Sequence, residues 1–373
     1  MLLRTITACT LLLPAIARGQ TAAEPALVWT DIRDLGVEGR GWTETKAPYD
    51  RLPAKAEGVV RQVVWDLSRD SAGMCVRFVS DATQVHARWT VTRDRLGLSH
   101  MPPTSVSGLD LYVKADDGRW RWLGVGRPTD VPTNTTRLVA DIPAGTREYI
   151  LYLPLYNGVR SVEIGVPAGS SVRKAAPRAV ERSKPILFYG TSITHGAAAS
   201  RAGMVHTAIL GRRLDYPVIN LGFSGNGKME PEMASLLAEL DPAVYVLDCV
   251  PNMVAAEITE RVEPFVRALR ARHPETPILM VEDRTYANAF LVTPQRAQNT
   301  TRRAAYRAAY ERLIAAGVAR LGYLEGEKLL GDDGEATVDS SHPTDLGFMR
   351  QAAALEAALR PLLSARVTAT VTR

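Results

Sequence analysis

The chain has 373 residues, 46% of them hydrophobic and 23% charged, with a formal net charge of +5. Those proportions are ordinary for a globular protein with a large buried core, and the length is comfortable for two domains. Basic residues are dispersed among acidic ones except around Arg173, Lys174, Arg178, Arg182 and Lys184, and nothing resembles an aromatic-interleaved nucleic-acid surface.

The chain opens as an export signal. Arg4 is the only early charge, residues 6–16 are a short apolar stretch, and small residues follow at Ala15, Ala17 and Gly19. The stretch is too short to cross a bilayer, which needs about 20 apolar residues, so cleavage after Ala17 or Gly19 is expected. The expected product is exported, periplasmic or secreted, without stable membrane insertion. Losing Arg4 and Arg18 leaves it at 5 − 2 = +3. Cys9 leaves with the signal, and Cys75 and Cys249 are expected as buried free thiols. No CxxC or HxxxH spacing points to a metal.

Residues 20–169 are predicted to form one all-β domain. Strand-like runs occur at 59–65, 74–79, 85–91, 109–113, 120–123, 147–153 and 162–166, separated by turns such as Asp116-Asp117-Gly118. Short strands at this spacing, without a convincing helix, predict an antiparallel sandwich or jelly roll. Residues 170–184, rich in Arg, Lys, Ala and Pro, read as a linker. From 185 to 373 the period changes. Apolar runs at 186–189, 218–219, 244–247 and 278–281 alternate with helical patterns at 205–214, 231–240, 258–272, 300–316 and 346–363. Strands buried on both faces and separated by amphipathic helices predict a three-layer α/β/α domain with a parallel sheet. Asn134-Thr135-Thr136 and Asn299-Thr300-Thr301 match the glycosylation pattern, which often arises by chance.

Four blocks in the second half carry chemistry. Gly190-Thr191-Ser192 follows an apolar run, Gly225 lies in Gly222-Phe223-Ser224-Gly225-Asn226-Gly227, Asn252 closes Cys249-Val250-Pro251-Asn252, and Asp339-Ser340-Ser341-His342-Pro343 comes near the end. Serine is a poor nucleophile without a base. His342, with a carboxylate three residues before it, is the histidine placed to activate Ser192, and Asp339 would orient its ring. Gly225, Asn252 and the Ser192 amide are the expected oxyanion donors. His195 lies three residues after Ser192 without a carboxylate beside it in sequence, so a pocket or structural role is expected rather than that of base. Tyr245, Asp248 and Cys249 read as packing. The run Gly222 to Met229 nearly fits a phosphate-cradling loop, but Met229 stands where a magnesium-binding hydroxyl is required.

The ordered blocks resemble the SGNH/GDSL hydrolase superfamily, with Ser192, Gly225, Asn252 and His342 at its four named positions and Asp339 as third triad member. Gly108-Leu109-Asp110-Leu111-Tyr112 looks like the GxDLY signature of a β-sandwich domain that precedes one branch of these esterases; Arg51-Leu52-Pro53-Ala54, Ser71-Ala72-Gly73-Met74 and His100-Met101-Pro102 look similar too. Two departures are His195, where glutamine is expected, and Ser340-Ser341, where a glycine-containing pair is more usual. The resemblance implies a flavodoxin-like catalytic domain and hydrolysis of a carboxylic ester through an acyl-enzyme, without metal or organic cofactor. It also implies a carbohydrate acetylesterase acting on an acylated carbohydrate or small ester. Alternatives are a lipase or thioesterase of the same superfamily, and a carbohydrate-binding protein with an inactive site. Trp120 and Trp122 are either sugar-stacking or packing residues.

Overall fold

The computed structural model describes residues 25–370, with 365–370 as backbone alone. The expected signal peptide lies outside the described residues. Among them, no helix is long and apolar enough to cross a membrane.

The first half contains strands β1 (Leu27–Asp31), β2 (Val37–Glu38), β3 (Cys75–Ser80), β4 (Val85–Val91), β5 (Leu109–Lys114), β6 (Trp120–Gly126), β7 (Thr133–Val139), β8 (Arg147–Tyr152), β9 (Val159–Pro167) and β10 (Val172–Lys174). Three short helices interrupt them: α1 (Ile32–Leu35), α2 (Gln62–Ser68) and α3 (Pro103–Val106). Two antiparallel sheets result, ordered β1-β9-β4-β7 and β10-β3-β8-β5-β6, with β2 beside β3. Their inner faces enclose Phe78, Trp89, Leu111, Tyr149 and Leu151.

Strand β8 explains why its sequence reads as an unbroken apolar run. Alternate side chains point to opposite faces of a strand. Tyr149 and Leu151 enter the sandwich core, while Ile150 and Tyr152 enter a second core shared with the rest of the chain. The sandwich therefore packs one sheet on the second half of the chain instead of exposing it to water.

The structure departs from the sequence reading in three places. Residues 59–65 are not a strand; Gln62–Ser68 is helix α2, whose Val64 and Trp65 join the buried Val60 in a core with Met233 and Leu237 while Val63 faces out. Burial at Val60, Val64 and Trp65 is helical spacing, and this packing overrides the strand preference of β-branched valines. Strand β7 shows no apolar alternation in its sequence: Thr133, Thr135 and Arg137 are exposed, and only Asn134 and Leu138 are buried. Within the stretch expected to be a linker, Val172–Lys174 pairs with β3. Both glycosylation matches fall on buried asparagines. Asn134 accepts from the Thr129 and Asp130 amides, and Asn299 donates to the Arg284 carbonyl.

The second half runs β11 (Ile186–Gly190), α4 (Ser192–His195), α5 (His206–Leu214), β12 (Val218–Gly222), α6 (Pro231–Leu237), β13 (Val244–Asp248), α7 (Ala255–Arg272), β14 (Ile278–Val281), α8 (Thr293–Ala315), β15 (Leu321–Leu324) and α9 (Asp345–Thr370). The sheet is parallel, ordered β12-β11-β13-β14-β15, which is the flavodoxin-like order. Ile186 and Phe188 pack with α5 and α9; Leu187 and Tyr189 pack with α6, α7 and α8. This is the expected three-layer arrangement. Cys75 and Cys249 are buried and free, also as expected.

The sandwich covers the β12 edge. Arg51 is fully buried, and its guanidinium donates to the carbonyls of Asn220 and Gly222 at 3.2 and 2.6 Å and to those of Leu67 and Asp70. Four backbone acceptors thus find partners, although burial pushes the Arg51 pKa down to about 10. Gly73 comes so near that a Cβ there would lie 2.3 Å from the Asn220 Cβ.

Candidate active site

Strand register brings three loops to one rim. Gly190 at the end of β11 pairs with Gly222 of β12 on one side and Asp248 of β13 on the other. Ser192, Gly225 and Asn252 each emerge shortly beyond those aligned ends. Strand order reverses here, with β11 between β12 and β13, and in open α/β sheets ligands bind at such a point.

Ser192 begins α4 because the chain turns sharply after β11. Thr191 Oγ1 accepts the Ile193 N–H at 3.2 Å, capping the turn, and Gly196 closes it at φ +114°. Gly190 must be glycine: a Cβ would sit 2.1 Å from Thr194 Oγ1.

His342 arrives from the other end of the fold. Its Nε2 lies 2.8 Å from Ser192 Oγ and its Nδ1 2.7 Å from Asp339 Oδ2. The amides of His342 and Ser341 donate to Asp339 Oδ1 at 2.7 and 3.0 Å, so one carboxylate holds both the loop and the ring. With Nδ1–H directed at Asp339, Nε2 is left to accept the serine proton. Burial pushes the Asp339 pKa up, but the His342 amide and imidazole outweigh it, leaving the carboxyl below its usual range. Ser340, in the pair where glycine is more usual, has φ +70°, a left-handed conformation costing a side-chain-bearing residue roughly 1–2 kcal/mol.

The oxyanion candidates occupy the same rim. Asn252 Oδ1 accepts the Gly227 N–H at 3.3 Å, which leaves Nδ2 to donate. Gly225 has φ +71°, and a Cβ there would meet nothing within 4 Å. The backbone N–H groups of Ser192 and Gly225 have no acceptor among the described residues.

Several residues at the site were given no role by the sequence, because they lie in irregular loops and act across long separations. Arg284, beyond β14, is buried; its Nε donates to Ser341 O at 3.2 Å, and Nη2 hydrogen-bonds Ser341 Oγ. Arg284 also pairs with Asp283, itself held by Arg302 and Asn299 at 3.1 and 3.2 Å. The sandwich supplies Tyr156, whose hydroxyl donates to Ser192 O at 3.3 Å, and His100, whose exposed ring is 5.8 Å from that of His342.

His195 is fully buried, its Nε2 on Leu155 O at 2.7 Å and its ring stacked 4.0 Å from Tyr156. A carboxylate does neighbour it in space, Asp70 Oδ2 at 3.5 Å, which the sequence separation hid. Burial and the nearby Arg51 keep the ring neutral. It ties α4 to the sandwich and does not reach solvent. Asp248 is also buried beneath α4, accepting from Thr194 Oγ1 at 3.2 Å, and burial pushes its pKa up to about 7. Lys228 of the phosphate-loop look-alike pairs with Glu257 at 3.4 Å. Trp122 Nε1 donates to Asp110 Oδ1 at 3.0 Å on the domain seam, which favours packing over sugar stacking.

The GDSL-like lipase/acylhydrolase family model matches residues 183–360, and the model described as the N-terminus of SGNH-hydrolase-type esterases matches 27–172. A putative GDSL-like lipase from Bacteroides ovatus is 35% identical with TM-score 0.85, over 91% of this chain and 98% of that one. A salicylyl-acyltransferase from a tetracycline biosynthetic pathway is 18% identical with TM-score 0.68, over 91% and 96%. A family two carbohydrate esterase from Clostridium thermocellum, in complex with cellohexaose, is 15% identical with TM-score 0.56, over 79% and 93%. The last two show likeness of fold. No curated protein matches the chain.

Proposed function

The chain belongs to the GDSL-like lipase/acylhydrolase family of SGNH hydrolases, and on that premise we propose that it is an exported serine esterase that removes acetyl groups from carbohydrates. The observation that carries the reading is the continuous relay from Ser192 Oγ through His342 to Asp339, at 2.8 and 2.7 Å.

In this reading Ser192 Oγ attacks the acyl carbon while His342 Nε2 takes its proton, and Asp339 stabilises the imidazolium. The carbonyl oxygen becomes an anion facing the amides of Ser192 and Gly225 and the Asn252 side chain. Collapse breaks the bond to the alcohol oxygen, which leaves with the proton from His342. Water, deprotonated by His342, then attacks the acyl-enzyme, and Ser192 recovers its proton as the carboxylic acid departs. One ester and one water become one acid and one alcohol. Asp339 and His342 are 46% and 26% exposed at their side chains, a setting that suits a bulky, hydrophilic alcohol.

Acetate release from acetylated polysaccharides, beside 4-nitrophenyl acetate and butyrate, tests the reading. A steep fall from acetyl to butyryl is expected; equal or faster butyryl turnover selects the lipase alternative. Ser192→Ala is expected to lose about 10⁴–10⁶-fold in kcat. Unchanged turnover by that variant would end the catalytic assignment.

A further inference from the structure

A cavity of about 820 Å³ opens on the same rim, bounded by the loop after β14, the start of α8 and the segment leading to Asp339. Ala336 and Thr337, just before the catalytic loop, line it, and the Ala287 amide on its opposite wall donates to Ser340 O at 2.9 Å. Whatever occupies this space therefore lies against the loop that carries Asp339 and His342.

We propose that this cavity is a subsite for a glycosyl ring of the substrate, distal to the ring that bears the ester. The inference rests on the carbohydrate reading above and extends it. Its volume is within the range of small-ligand sites. Phe290, which lines it, is 80% exposed, and Leu291 beside it 75%, an unusual display for side chains on a braced loop. Arg296 and Lys328, both exposed, also line it.

These features select the ligand class. An acyl chain would strip water from two cations and give nothing in return, which is costly. A polyanion would meet Glu327 and Asp332 in the same lining. A sugar ring presents hydroxyls to the charged groups and an apolar C–H face to Phe290. The walls are preorganised: Arg303 Nη2 donates to Thr285 Oγ1 at 2.8 Å, and Arg350 grips Leu330 O at 3.0 Å and Asp333 Oδ2 at 2.6 Å. Little ordering is then needed on binding.

Chemically acetylated cello-oligosaccharides of increasing length, from two rings to six, provide the test, with 4-nitrophenyl acetate as a substrate that carries no sugar ring. We expect kcat/KM of the wild type to rise about tenfold with length, and Phe290→Ala/Arg296→Ala to lose that gain, as expected for one stacked face and one charged hydrogen bond. Val180→Ala, an exposed site on the linker, is the control expected to keep it. A wild type without a length dependence, or a double variant that keeps it, overturns the subsite. So does an equal fall on the aryl ester, which would mark a structural role. Turnover of the aryl ester but of no sugar ester would instead overturn the carbohydrate reading itself.

Discussion

Asp110 of the sandwich and Arg201 of the α/β half form an ion pair 2.9 Å long across the domain seam, with the Asp110 side chain fully buried. The same carboxylate accepts the Gly203 amide at 2.8 Å, and Arg201 also reaches the Tyr112 hydroxyl at 2.5 Å. Asp110 and Tyr112 are the polar residues of the GxDLY signature. The motif thus has a physical meaning: it latches the sandwich to the segment that follows α4.

Arg201→Ala leaves a buried carboxylate short of its cation. Removing one partner of a buried pair costs about 3–5 kcal/mol, so urea unfolding should show a loss of that order. A loss below about 1 kcal/mol would mean that the Gly203 amide and Trp122 suffice to hold Asp110.

Asn252→Ala and Gly225→Ala should separate two kinds of oxyanion donor. The first deletes a donor and should lower kcat about 10²–10³-fold. The second keeps its N–H, and the added Cβ meets nothing within 4 Å, so only left-handed strain of roughly 1–2 kcal/mol is introduced. Steady-state rates in which Gly225→Ala is the more damaged variant would contradict this arrangement.

Arg284→Ala should release Ser341 and let the Asp339–His342 loop drift. We expect kcat to fall about tenfold or more with KM little changed, since a misplacement near 1 Å can cost about 10²-fold. Arg284→Lys should not restore the rate, because one ammonium cannot replace the fork that holds both Ser341 O and Ser341 Oγ. Full rescue by lysine would show that charge alone matters.

Asp248 gives stability a pH dependence whose sign follows from its raised pKa. In the folded protein burial disfavours the anion and pushes the pKa up to about 7, whereas the unfolded group keeps its ordinary value of 3.8. Its contribution is therefore fully present below pH 4, is lost as pH rises towards 7, and changes no further above that. Asp248→Asn cannot ionise, so its Tm relative to wild type should improve between pH 4 and pH 7 and then level off. A constant difference across that window would show that Asp248 is not neutral in the folded protein.

Much of the arrangement was legible because its determinants are local. Gly190-Thr191-Ser192 encodes a strand, a tight turn and a helix start within a few residues, and Asp339 reaches His342 through a turn only three residues long. Alternation of period 2, then unbroken strands between helical patterns, separates an antiparallel sandwich from a wound parallel sheet. Locality also misled. Residues 59–65 look like a strand until the partners of Val60, Val64 and Trp65 are known.

Taken alone, the amino-acid order determined which groups could react and on which kind of scaffold each would sit, since backbone sterics and side-chain periodicity act over a handful of residues. Only the tertiary structure decided what surrounds them. Arg284 lies 57 positions from Ser341, Tyr156 36 from Ser192, and Asp110 91 from Arg201. Such partners are chosen by how two cores pack and by the need to satisfy every buried charge and carbonyl at their seam, and no short window of the chain records that choice.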